Sequence, residues 1–222
     1  MNLANNLRQG LDTLQLKLSD STQTQLLNYL ELLVKWNRVY NLTAVRDVAQ
    51  MIPKHVLDSL AVLPYCCGTQ ILDVGTGAGL PGLILAIARP DWQCVLLDSN
   101  AKKIRFVRQA IIELEIKNAL AECTRIEAFN PQYQFSTVIS RAYTNMHRFY
   151  TQTARLCTGS LLAMKGVYPE TEMAQMAGLP VHLETFPLQV PQLAAQRHLI
   201  VMKRSNDEKH KYQSFTTEPS AD

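Results

Sequence analysis

Leu3, Leu7, Leu11, Leu14 and Leu18 recur at helical spacing and predict a first helix over residues 1 to about 19. Asp20 or Ser21 can cap a second helix, whose apolar stripe is Leu26, Leu27, Leu30, Leu33 and Val34. It leads into residues 35–43, where aromatic and polar side chains interleave, then through residues 51–60 to a turn near Gly68. Residues 1–66 are expected to form a helical cap packed on the core. Beyond Gly68 the period changes. Ile71, Leu72 and Val74 suit a strand buried on both faces, and Leu83, Ile84, Leu85, Ile87 and Ala88 a helix lying against a sheet. Pro81 suits the first turn of that helix. A strand over residues 94–97 then ends at Asp98, and Asn100 can cap a helix carrying Ile104, Val107, Ile111 and Leu114. Short strands come next over residues 120–123, 135–140 (ending at Arg141) and 161–164 (ending at Lys165 and Gly166). Residues 181–186 and 198–202 read as a final antiparallel pair. The alternation predicts an α/β, Rossmann-like, seven-stranded and mostly parallel sheet over residues 67–203, with a polar, disordered tail over 204–222.

The chemistry begins between the first of these strands and its helix. Gly75, Gly77 and Gly79 stand at alternate positions, which suits a tight turn whose backbone approaches a ligand closely. A dinucleotide fingerprint is G-x-G-x-x-G, but three residues after Gly77 comes Leu80. The pattern from Asp73 is instead Asp-x-Gly-x-Gly-x-Gly, which resembles the first motif of class I S-adenosylmethionine-dependent methyltransferases. In that family the loop wraps the amino-acid part of the cofactor. Asp98 lies where Rossmann-like folds place an acid that accepts from ribose hydroxyls, although an acid there can also cap a helix.

Composition narrows the setting. The 222 residues are enough for one α/β domain with a modest extension. No stretch approaches about 18 consecutive apolar residues, and no basic-then-apolar leader opens the chain, so a cytoplasmic protein with no membrane partner is expected. The five cysteines form no C-x-x-C pair, and no metal site is expected. Cys94 and Cys123 fall in strand-like runs and are expected in the core. The net charge is +3, and residues 204–222 carry three basic and four acidic groups, leaving +4 on the body. That excess permits RNA binding without requiring it.

Arg141 and Lys165 fall at the carboxyl ends of adjacent predicted strands, the edge where open α/β sheets bind ligands. Lys102, Lys103 and Arg105 crowd a helix start, where cations are disfavoured by a few tenths of a kcal/mol each. They are either solvated or facing an anion. An in-line displacement at a sulfonium needs an acceptor lone pair held close and aligned. The sequence after the fourth strand, Ser140-Arg141-Ala142-Tyr143, lacks the Asp/Asn-Pro-Pro-Tyr run common in adenine and cytosine amino methyltransferases. No cysteine occupies a motif position of the cytosine-C5 enzymes, which use a nucleophilic thiol. Guanine N7, with a free lone pair, needs neither device.

Five separated motifs complete the pattern: Trp36-Asn37 with Asn41-Leu42-Thr43, His55 with Asp58-Ser59-Leu60, residues 73–82, Ser140-Arg141-Ala142, and Lys165-Gly166. In this order they resemble the ribosomal RNA small subunit methyltransferase G family, also called glucose-inhibited division protein B, over about residues 20–203. The resemblance implies S-adenosylmethionine-dependent methylation of guanine N7 in 16S rRNA of the 30S subunit, at position 527 in the usual rRNA numbering. It implies that Asp73, Gly75, Gly77, Gly79, Leu80 and Asp98 hold the cofactor, with Ile126 and Glu127 flanking its adenine. Arg141 is implied to border cofactor and acceptor, and Asn41 and Lys165 to act with it in catalysis. Lys102 or Lys103, Arg125 and Lys165 match positions linked to RNA contact. His55 and Asp58 read as groups joining cap to core, and Trp36 and Tyr40 as cap core residues. Ala78 stands where many family members carry proline, which alters loop stiffness. Two other functions fit the residues: methylation of a different nucleic acid or small molecule, and a non-catalytic cofactor-binding regulator.

Overall fold

The computed structural model describes residues 2–141, 143 and 145–205. Helix α1 (Leu3–Thr13) stops earlier than the leucine spacing predicts. Gln15 turns left-handed (φ 57), Gln15 N–H bonds Asp12 O, and Leu16 N–H bonds Leu11 O. That is a Schellman stop formed without glycine, and Leu14, Leu16 and Leu18 pack on the core from the succeeding loop instead. Helix α2 (Asp20–Tyr40) is capped by Ser19, not by Asp20 or Ser21; the Ser19 hydroxyl accepts from Thr22 N–H at 3.1 Å. Residues 48–60 form α3 (Val48–Met51), a π-helical turn (Ile52–Leu57) and α4 (Asp58–Leu60).

The remaining elements are strand β1 (Gln70–Val74), α5 (Gly82–Ala88), β2 (Gln93–Asp98), α6 (Ala101–Glu113), β3 (Ala119–Cys123), β4 (Phe135–Arg141), α7 (Met146–Thr153), β5 (Cys157–Lys165), α8 (Glu170–Ala174), β6 (Val181–Pro187) and β7 (His198–Arg204). Pro81 stands one residue ahead of α5, as its cap. Helix α6 ends as α1 does, with Glu115 left-handed and Ile116 N–H bonded to Ile111 O. Leu114 is therefore its cap rather than a helical residue. The strand order is β3-β2-β1-β4-β5-β7-β6. β1 to β5 run parallel, while β7 is antiparallel to both β5 and β6. The seven-stranded, mostly parallel sheet matches the sequence expectation.

Successive strand residues face opposite sides. Ile71, Ile139 and Leu162 join one apolar cluster, and Leu72, Val138 and Leu161 the other. The first cluster also takes in Leu7, Leu11, Tyr29, Leu33 and Leu57, so the N-terminal helices share a continuous core with α5 and α6. Cys123 is exposed, contrary to expectation, because β3 is an edge strand. Cys94, on β2 inside the sheet, is buried. Of the tail expected over 204–222, Arg204 closes β7, and residues 206–222 lie outside the described residues. No helix among the described residues is long and apolar enough to cross a membrane.

Candidate functional site at the carboxyl edge of the sheet

The chain reverses its direction of travel across the sheet between β1 and β4, and open α/β sheets bind ligands outside the carboxyl ends of strands at such a point. Pairing of Val74 with Leu97 brings the end of β1 beside Asp98. Gly75 and Thr76 N–H groups both donate to Leu97 O, at 2.8 and 3.0 Å, so the turn is fastened to β2. Gly75 has φ +73, and a Cβ placed on it meets open space. Gly77 N–H donates to Asp98 Oδ2 at 2.9 Å, and Asn100 N–H to Asp98 Oδ1 at 2.8 Å. Gly79 and Leu80 are buried behind the turn, their N–H groups donating to Thr76 O.

Asp73 lies beneath this turn and braces it. Its Oδ2 accepts from Thr76 Oγ1 at 2.6 Å and from Gly82 N–H at 2.8 Å. Only glycine fits at position 82, since a Cβ there would approach Asp73 Cβ to 2.7 Å. Burial pushes the Asp73 carboxyl up to about 6, against the lowering effect of its Thr76 and Gly82 bonds. Its Oδ1 is buried without a partner. Tyr29, fully buried on α2, donates to Ala78 O at 2.7 Å.

Two clefts open on this edge. The first, of about 210 Å³, is lined by Gly75, Asp98, Arg125, Ile126, Glu127 and Tyr143, among others. Ile126 is buried in the apolar floor, whereas Glu127 is exposed and accepts from Arg148 and Gln152. Its own backbone N–H, then Arg148 and Gln152, hold its carboxyl below the usual range. The second cleft, of about 630 Å³, is lined by Lys54, His55, Asp58, Arg141, Lys165 and Arg197, among others. Tyr143 belongs to both walls, so the clefts adjoin.

The second cleft is held by paired charges. Asp58, nearly fully buried, accepts from Arg141 Nη1 at 3.3 Å and from Arg197 Nε at 2.9 Å. Arg141 Nη1 also donates to Lys54 O at 3.1 Å. Lys165 Nζ donates to both Glu172 oxygens, at 2.9 and 2.8 Å, and to Tyr143 O. Burial, then the Arg141 charge, pushes the His55 pKa down to about 4, so its ring is neutral at pH 7. Its Nδ1 must then carry the proton, because Lys54 O at 2.9 Å can only accept; Nε2 accepts from the Thr43 hydroxyl at 2.9 Å.

The sequence-derived candidates thus separate into groups. Gly75, Asp98, Ile126 and Glu127 line the first cleft, as does Arg125, which was expected to face RNA. Arg141 and Lys165 line the second. Asn41, Lys102 and Lys103 line neither. Asn41 is exposed, ends α2 in a left-handed conformation and accepts from Arg46. Lys102 and Lys103 open α6, their N–H groups capped by Asn100 Oδ1. Arg197, Lys54, Glu172 and Tyr29 carry no motif and are not legible as site residues in the sequence. Arg197 reaches the site because His198 pairs with Lys165 across β7 and β5, a register invisible in sequence.

Residues 22–200 match the family model for rRNA small subunit methyltransferase G. The chain belongs to this family. Family members with that name include one from Laribacter hongkongensis, 48% identical over 202 residues, covering 90% of this chain and 98% of the relative. Another, from Nitrosospira multiformis, is 47% identical over 214 residues and covers 92% and 99%. Among solved structures, magnesium protoporphyrin IX methyltransferase from Synechocystis PCC 6803, with bound SAM, aligns with a TM-score of 0.56 at 16% identity. It covers 84% of this chain and 98% of its own. A putative O-methyltransferase from Klebsiella pneumoniae gives 0.56 at 13% identity, covering 79% and 89%. These two likenesses show the class I methyltransferase fold. Among the described residues no group of three or more His, Cys, Asp or Glu is arranged to hold a metal ion.

Proposed function

We propose that the protein transfers a methyl group from S-adenosylmethionine to N7 of a guanine in 16S rRNA, at position 527 in the usual rRNA numbering. The observation that carries this reading, beyond family membership, is the pair of adjoining clefts sharing Tyr143. One offers what the donor requires and the other what an anionic acceptor requires. The first suits the cofactor on its own chemistry. Gly75 leaves open space at the turn, Asp98 keeps lone pairs for ribose hydroxyls, and Ile126 offers an apolar floor to adenine. Asp73 Oδ1 is a buried acceptor lacking a donor, which suits the ammonium of an amino-acid tail. Bound there, the cofactor supplies an electrophilic methyl group on a sulfonium.

The chain's own residues then hold and orient. Guanine N7 has an in-plane lone pair, so no base need remove a proton, and positioning supplies most of the rate. Methylation makes the purine cationic, and carboxylates offset part of the cleft's positive charge. The Arg141 and Arg197 charges are shared by Asp58, and that of Lys165 by Glu172. Arg141 is thereby fixed in direction, and its remaining N–H donors, which have no acceptor among the described residues, can orient an electronegative base edge or a phosphate. Lys102, Lys103 and Arg125 serve as RNA contacts, and Asn41 works through the α2 end that it caps. On this reading the protein works in the cytoplasm on the 30S subunit or its RNA.

Transfer of labelled methyl to purified 30S subunits, naked 16S RNA, tRNA and small phenols tests the proposal. Label on N7 of one 16S guanine is expected. Label only on tRNA or a phenol, or none on any acceptor despite cofactor binding, would overturn it.

A further inference from the structure

Outside both clefts, α2 and α6 meet along an aromatic seam. Trp36 of α2 packs on Phe106 of α6, ring centroids 5.8 Å apart, and stacks on Tyr40 at 5.2 Å and 26°. Tyr29 reaches the same Phe106 from within, at 6.2 Å. At about 100° per residue, Lys35 and Val39 lie on the outer flank of Trp36. By the same count Lys102, one helical turn before Phe106, and Arg105 lie on the outer flank of α6. Lys35, Val39, Lys102 and Arg105 all reach solvent, Val39 by 71%. Among the described residues none of Lys35, Lys102, Lys103 and Arg105 has a carboxylate within 4.0 Å. No acidic residue stands in the first turn of α6 to offset its lysines. Unpaired cations at a helix start oppose the helix dipole by a few tenths of a kcal/mol each, a standing cost that a bound anion reverses.

The ridge also leads somewhere. Helix α6 starts just beyond Asp98 of the first cleft, after Ser99 and Asn100. Helix α2 ends shortly before Thr43, whose hydroxyl bonds His55 in the wall of the second. The two helix ends therefore stand beside the two adjoining clefts, α6 at the first and α2 at the second. We propose that the ridge of Lys35, Val39, Lys102 and Arg105 binds the phosphate backbone of RNA flanking the target. The proposal rests on the RNA-methyltransferase reading and extends it to α2 and Arg105. The contact is independent of base sequence, because it is made by charge and the Trp36 ring is already packed on both Tyr40 and Phe106. The partner is a polyanion held by charge, with Val39 packing against its sugars.

Each phosphate neutralised on a single strand contributes about 0.7 to the slope of log K against log salt. The double variant Lys35→Ala, Arg105→Ala should therefore flatten that slope by about 1.4 for poly(U). Counterion release alone makes this about 25-fold weaker binding at 0.1 M salt relative to 1 M. The KM for 30S subunits should rise, with kcat at saturating subunits and cofactor affinity unchanged. A control double variant, Arg8→Ala, Lys17→Ala, removes the same charge from exposed positions on α1 and the loop after it and should keep the wild-type slope. Lys35→Gln, Arg105→Gln, which keeps much of the side-chain length, should behave as the alanine pair. A wild-type slope in both ridge variants, or an equal loss in the control, overturns the proposal. Failure of the wild type to methylate 30S subunits would instead sink the functional reading, since poly(U) binding is measured without turnover.

Discussion

Replacing Tyr29 with phenylalanine removes a single oxygen, yet it severs the polar tie between α2 and the glycine turn. The hydroxyl donates to Ala78 O at 2.7 Å, Tyr29 is wholly buried and Ala78 is 5% exposed. A neutral hydrogen bond is worth about 1 kcal/mol net, but a buried carbonyl left without a donor costs about 1–3 kcal/mol. The void is too small for a replacement water to make its own bonds. The loss should fall near about 2 kcal/mol. For a chain of this length each kcal/mol moves the melting midpoint by about 2–4 °C, so a fall of about 4–8 °C is expected. Urea unfolding should show a lower midpoint with an unchanged slope, since the exposed surface is the same. Cofactor affinity should drop with it, because the unbound turn gains alternatives to its binding conformation. Burial raises the hydroxyl pKa; the Arg141 charge lowers it by less and the Asp73 charge adds to the rise, so the bond persists through neutral pH. A Tyr29→Phe protein melting within about 1 °C of wild type, on the scale of a few tenths of a kcal/mol, would refute this account.

Asp98→Ala should weaken S-adenosylmethionine binding by roughly one to two decades, a carboxylate–hydroxyl pair being worth about 1.5–3 kcal/mol; unchanged affinity by calorimetry would remove Asp98 from the cofactor site. Arg141→Lys keeps charge but loses the planar guanidinium, whose Nη1 alone bonds Asp58 and Lys54 O and whose other N–H donors are proposed to orient the acceptor. Single-turnover methylation of 30S subunits should slow tenfold or more, on the order of 1.4 kcal/mol in the barrier, and a wild-type rate would make the fork irrelevant. Two buried groups give opposed pH effects on stability. The Asp73 pKa is raised from 3.8 to about 6, so its contribution is full below about pH 4 and is lost as pH rises through 6. The His55 pKa is lowered from 6.5 to about 4, so its contribution is full above pH 6.5 and is lost as pH falls towards 4. Between about pH 4 and 6, Asp73→Asn should steepen the rise of stability with pH relative to wild type, and His55→Asn should reverse or flatten it. Urea midpoints across that range that parallel the wild type in both variants would contradict the assignments.

Periodicity and local chemistry were enough to order the seven strands and the helices α1, α2, α5 and α6, whereas α3, α4, α7 and α8 were not read from the sequence. Apolar runs of four or five residues bounded by turn signals have few alternatives to a buried strand, and a glycine turn after one has few uses other than close backbone approach. Gly75 and Asp98 could thus be paired from their separation, as could the two cations ending β4 and β5. Helix stops were not legible where Gln15 and Glu115 adopt left-handed backbone, because neither residue type signals it and the Schellman bonds form only once Leu16 and Ile116 have a core to enter. Cys123 looked like a core residue because alternation marks a strand without saying whether it has neighbours on both sides. Asp58 and Arg197 are 139 positions apart, and Tyr29 and Ala78 are 49 apart. The first pair meets through the antiparallel register of β7 on β5, the second through the packing of α2 over the turn. No sequence period carries such encounters, since they depend on which surfaces close over one another after every local element has formed.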